Sequence, residues 1–102
     1  MTQKQIKESL MKQLNLQGKT SEFYKDLVED YVYYWTLKKK LIADIKKKGI
    51  RYSAKNGNGI LVDKPNESVI NLQKTTATML KILSDLHLKE PIFESNPEQD
   101  YL

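Results

Sequence analysis

Cysteine is absent from this 102-residue chain, which excludes a disulfide scaffold and any thiolate metal site. Histidine occurs once, at His87, and arginine once, at Arg51. Without cysteine and with a lone histidine, little is left for a metal cluster, and no metal or other cofactor is expected. The carboxylates are scattered, and the adjacent Glu29 and Asp30 would point about 100° apart on a helix, so they make no acid–base pair. No GxxxxGK[ST] phosphate loop occurs, because residues 56–59 lack that spacing. The inventory argues against an enzyme. No apolar run is long enough to cross a bilayer and nothing resembles a secretory signal, so the default expectation is a soluble, intracellular protein with no membrane association.

What is present suits one small domain: 39% hydrophobic and 29% charged residues provide a modest core and a well-solvated surface, with little room for a large cleft. Charge is unevenly placed. All 17 lysines and arginines lie within residues 1–89, while residues 90–102 hold four acids and no base. A basic body is drawn to nucleic acid through phosphate neutralisation and counterion release, but lysines that merely solvate helices give the same composition.

Apolar residues recur at helical spacing in three places. Ile6, Leu10, Met11 and Leu14 predict a short helix over residues 4–16 that stops near Gly18. Thr20 and Ser21 can cap a second helix, with Glu22 in its first turn, that runs to Lys48 and ends at Gly49, roughly 40 Å of helix. Residues 50–54 and 60–62 are β-compatible and flank Asn56-Gly57-Asn58-Gly59, which reads as a small β-hairpin or an ordered loop. Pro65 disfavours helix at Lys64 and Asn66 can cap a third helix, which therefore starts near Asn66. The fold expected is all-α: a short N-terminal helix and a long antiparallel helical hairpin, with a small β-hairpin or ordered loop near residues 50–63.

The second helix carries Phe23, Leu27, Tyr31, Tyr34, Leu41 and Ile45, flanked by Tyr24, Val28, Trp35 and Ile42, a stripe too broad for one helical partner. The third carries Val69, Leu72, Thr76, Met79, Leu80, Leu83 and Leu86. Apolar surface should be left over, and self-association is the inference, with Tyr31, Tyr34, Trp35, Leu41, Leu72, Met79 and Leu83 as interface candidates. The aromatics Tyr31, Tyr33, Tyr34 and Trp35 also admit a base-stacking reading, but rings at helical spacing more often pack a core or a subunit interface.

Candidate phosphate contacts are Lys38, Lys39, Lys40, Lys46, Lys47, Lys48, Arg51 and Lys55, with Lys4, Lys7 and Lys12 on the first helix. Each lysine triplet wraps around its helix, but Lys39 shares a face with Lys46, and Lys40 with Lys47. A solvated surface with favourable placement at the helix C-terminus explains any one of them equally well. In the acidic tail, Ile92, Phe93 and Tyr101 read either as a short docking segment or as an inert end.

The segments YKDLVEDYVYYWTLKKKLIADIKKKGI, NGNG and KPNESVINLQKTTATMLKILSDLHL together resemble the terminase small subunit of tailed bacteriophages, over about residues 22–89. Two departures stand out: His87 sits where glycine is expected after the last helix, and the segment before Phe23 is short for a separate helix-turn-helix. The resemblance implies a non-catalytic packaging factor in the cytoplasm of the infected bacterial host. It would recognise double-stranded viral DNA as a ring homo-oligomer and present it to the large terminase subunit, which carries the ATPase and nuclease. On that reading residues 1–89 form one oligomerisation and DNA-binding domain and residues 90–102 a tail that contacts a partner. The alternatives are a small helical DNA-binding regulator and an assembly adaptor that binds no DNA. Lysine-dominated charge favours backbone contact over base readout.

Overall fold

The computed structural model describes residues 1–88. Helix α1 spans Gln3–Leu16, α2 Glu22–Lys48 and α3 Glu67–Asp85, and strands β1 (Arg51–Lys55) and β2 (Leu61–Pro65) lie between α2 and α3. The helix-dominated fold with one small hairpin is the architecture expected. The tail segment, with Ile92, Phe93 and Tyr101, lies outside the described residues.

Each boundary has a local cause. Thr2 opens α1 through a capping box: the Gln5 amide donates to Thr2 Oγ1 (3.2 Å) and the Thr2 amide to Gln5 Oε1 (2.8 Å). Gly18, at φ +72°, closes it in a Schellman arrangement, with the Lys19 amide donating to the Leu14 carbonyl (2.9 Å) and the Gly18 amide to that of Asn15 (3.1 Å). Helix α3 ends the same way, the Leu88 amide donating to the Leu83 carbonyl (2.8 Å) and the His87 amide to that of Ser84 (2.9 Å). There the left-handed residue is His87, at φ +58°, the only non-glycine with positive φ among the described residues.

The chain divides into two compact units. One comprises Met1–Val32 with residues 82–88, and the other Tyr33–Lys81; α2 and α3 each contribute to both. The first has a well-covered core of Ile6, Leu10 and Leu14 from α1, Val28, Tyr31 and Val32 from α2, and Ile82, Leu83, Leu86 and Leu88. Burying one aliphatic side chain of this size contributes about 1.5–3 kcal/mol. The Lys19 ammonium donates to the Leu86 carbonyl (2.9 Å), satisfying an acceptor at the end of α3, and Lys7 of α1 pairs with Glu29 of α2.

The second unit is thinly covered. Only Asn66, Thr75 and Met79 are buried, while Tyr34, Trp35, Leu41, Ile42 and Ile45 of α2 and Val69 and Leu72 of α3 stay half-exposed. Its strands pair antiparallel, Ala54 opposite Val62 and Ser53 opposite Asp63, and the loop closes with the Asn56 amide donating to the Ile60 carbonyl (2.9 Å). Positive φ falls on Gly59 alone in this turn. Isolated two-stranded hairpins are marginal in water, and this one is continued by the Asn66 amide donating to the Ile50 carbonyl (2.8 Å).

The His87 conformation gives a direct test. A left-handed residue other than glycine costs about 1–2 kcal/mol, partly offset by the extra freedom of glycine in the unfolded chain. His87→Gly is expected to stabilise the chain by about 0.5–1 kcal/mol in chemical denaturation. A loss of stability would show that the imidazole contributes more than its backbone costs.

Candidate nucleic-acid and subunit interface

Asn66 joins α2, the hairpin and α3. Its Nδ2 donates to the Gly49 carbonyl (2.9 Å), which α2 leaves without a helical partner, and its Oδ1 accepts from the Ser68 amide (3.0 Å) in the first turn of α3. Beside it, Ser68 Oγ donates to Asp44 Oδ2 (2.7 Å) and Lys48 Nζ lies 3.3 Å from Asp44 Oδ1. The Ser68 hydroxyl holds the Asp44 carboxyl below its ordinary range, helped by Asn66 and Lys48 against some desolvation.

Charge is divided as unevenly as burial. Tyr33–Lys81 holds eleven lysines and arginines against three acids, whereas Met1–Val32 with residues 82–88 holds five against six. The excess positive charge of the described chain therefore belongs to the second unit. Of the acids there, Asp44 faces Lys48 and Asp63 accepts from Arg51 Nε (2.6 Å).

The predicted phosphate contacts differ in their surroundings. In the first unit Lys4 lies 3.9 Å from Glu8, Lys7 pairs with Glu29, and Lys12 also has a partner. In the second, Lys48 and Arg51 are paired as above, and Lys39 Nζ sits 4.0 Å from the centre of the Trp35 ring in a cation–π contact. Lys38, Lys40, Lys46, Lys47 and Lys55 make no ion pair among the described residues. Lys64 and Lys74, which periodicity did not single out, stand in the same position.

The interface candidates also separate. Tyr31, Met79 and Leu83 are buried within the single chain, and burial raises the Tyr31 phenol pKa. Tyr31 is therefore not available to stack on a base. Tyr34, Trp35, Leu41 and Leu72 are half-exposed. More open apolar side chains of the second unit lie elsewhere: Tyr33 on α2 and Ile50 before β1 are 66% and 68% exposed, Ile60 and Leu61 in the hairpin 59% and 68%, and Ile70 and Leu80 on α3 54% and 62%. On α3, Ile70, Ala77 and Leu80 fall within one sector of the helix, because seven residues return almost to the same direction. Helical spacing places Leu80 on the apolar stripe of α3, where the structure leaves it exposed.

For catalysis, His87 is an exposed cap residue, and no group of three or more His, Asp or Glu among the described residues is placed to hold a metal ion.

Residues 4–90 match the family described as phage terminase, small subunit. The chain belongs to that family. A search of curated proteins and a search of solved structures each returned no match. Membership carries a role in phage DNA packaging, beside the large terminase subunit, within a family that is generally non-catalytic. No helix among the described residues of this terminase small subunit is long and apolar enough to cross a membrane.

The Asp44 cluster fixes a pH response. Because its folded-state pKa is depressed, its contribution is complete above the unfolded-state pKa and is lost as pH falls through the folded-state value. Asp44→Asn should therefore lower stability at neutral pH and shrink the difference from the parent at strongly acidic pH. Denaturation midpoints across that range measure it, and a difference that persists unchanged in acid would contradict the assignment.

Proposed function

We propose that this terminase small subunit assembles into a closed ring of identical chains and engages viral DNA through the lysines of its second unit. The carrying observation is that exposed apolar side chains and lysines without ion pairs occur together in Tyr33–Lys81. Apolar surface of this extent is unfavourable in water and favours contact between copies. The unpaired lysines supply phosphate contacts, and ring assembly repeats them around the DNA, so that individually weak contacts add. Half-exposed Tyr34, Trp35, Leu41 and Leu72 belong to the contact between copies, with Leu80 and Ile70 at its open side. Lys38, Lys40, Lys46, Lys47 and Lys55 face phosphate, and Lys39, held over Trp35, lies between the two roles.

Arg51 is the chain's only arginine, and its engagement with Asp63 supports backbone contact over base reading. This weighs against a sequence-reading regulator. The ring works in the cytoplasm of the infected bacterial host and hands DNA to the large subunit, with Ile92, Phe93 and Tyr101 of the acidic tail as the docking segment.

The test is the salt dependence of duplex DNA binding, in which each phosphate contact contributes about 0.9 to the slope of log affinity against log salt. Replacing Lys40, Lys46 and Lys47 with glutamine should lower that slope by about 2–3 per bound subunit. Replacing Lys4, Lys7 and Lys12 should change it far less. Equal losses from the two sets would place the phosphate surface on α1 as well, and no binding at low salt would remove the DNA reading and leave an adaptor.

A further inference from the structure

The turn between β1 and β2 contains two asparagine–glycine steps in immediate succession, Asn56-Gly57 and Asn58-Gly59, in unlike hydrogen-bonding states. In such a step the backbone nitrogen of the glycine can attack the side-chain carbonyl carbon of the asparagine. A new nitrogen–carbon bond forms, the bond from that carbon to the amide nitrogen breaks, and ammonia leaves with the proton. Water then opens the cyclic imide to aspartate or isoaspartate. Glycine favours the step because no Cβ shields its nitrogen, and open space surrounds both Gly57 and Gly59.

Asn56 is held at its electrophilic end. Its Oδ1 accepts from the Asn58 amide (2.9 Å) and the Ile60 amide (3.1 Å), and its own amide closes the hairpin onto the Ile60 carbonyl. Turning its carboxamide toward Gly57 breaks two of these bonds. The Asn58 carboxamide makes no hydrogen bond among the described residues. What restrains Asn58 is one bond on the nucleophile, from the Gly59 amide to the Asn56 carbonyl (3.0 Å).

We propose that Asn58 is a site of spontaneous deamidation in the folded protein and that Asn56, in an equivalent step of sequence, is protected by the turn. The product places a carboxylate at the hairpin tip, between strands that carry Lys55 and Lys64. An isoaspartate there also inserts an extra carbon into the backbone, which loosens the two bonds to Asn56 and exposes it in turn. The modified chain thus loses positive charge where the second unit carries its excess. Any effect on DNA binding rests on the function proposed above, whereas the chemistry does not.

The full chain is incubated in mildly alkaline buffer, and peptide mapping by mass spectrometry with isoaspartyl methyltransferase labelling reads each asparagine. Asn58 should convert about fivefold faster than Asn56, the factor that one additional hydrogen bond of ordinary net strength corresponds to. In urea the two rates should converge, because the turn no longer distinguishes them. Asn58→Gln should remove the fast phase and leave Asn56 slow. Faster conversion of Asn56, conversion of Asn58 no faster than that of Asn71 within α3, or the same ratio in urea would each overturn the proposal.

Discussion

A helix can hide its apolar stripe only against another surface, and the unit Tyr33–Lys81 does not provide enough of one. Two helical segments and a two-stranded sheet have few layers with which to enclose an interior, which is why Met79 is the single buried aliphatic side chain of Tyr33–Lys81. In the first unit, α1 supplies the missing layer through Ile6, Leu10 and Leu14, and Val28, Tyr31 and Val32 of α2 with Ile82 and Leu83 of α3 are buried, while Phe23 in the first turn of α2 stays exposed. The contrast depends on which segment packs beside the stripe, since the hydrophobic pattern itself continues along both helices.

Electrostatics divide along the same boundary. The covered unit is close to charge balance, and its lysines are engaged: Lys7 with Glu29, Lys25 with Glu22, Lys19 with the end of α3. The open unit has too few acids to neutralise its bases, so much of its positive charge faces solvent. Like charges held together cost free energy unless an anion or a partner relieves them. On the function proposed above, contact between copies relieves the exposed apolar area of this unit, and contact with phosphate its uncompensated charge. That area and that charge also explain why the Asn66 junction and the Asp44–Ser68 bond matter: they are specific contacts that hold this unit in one geometry with little core behind them.

Much of this was legible in the sequence where the signal is local. Pro65 and Asn66 in succession marked the start of α3, Gly18 and Gly49 marked helix ends, and the NGNG turn between β-compatible stretches marked the hairpin. The cap at His87 was visible only as a missing glycine, since its backbone is set by the Schellman bonds to Leu83 and Ser84. Long-range facts were not legible. Helical spacing put Tyr31 and Tyr34 on one broad stripe, but only packing buries the first and leaves the second half-exposed. Likewise, nothing in the sequence joins Lys7 to Glu29 or Arg51 to Asp63, so a count of basic residues treated engaged and unengaged cations alike. The division into two units was hidden because α2 and α3 each run unbroken through the boundary.

Coverage of the second unit by other copies of the chain is tested most directly by native mass spectrometry of the parent chain and of Leu80→Asp over a range of concentrations. The parent should populate one closed assembly of defined subunit number, and the variant, folded as judged by its helix content, should fall to smaller species. A parent chain that remains monomeric at every concentration, or a variant that assembles as the parent does, would contradict that coverage.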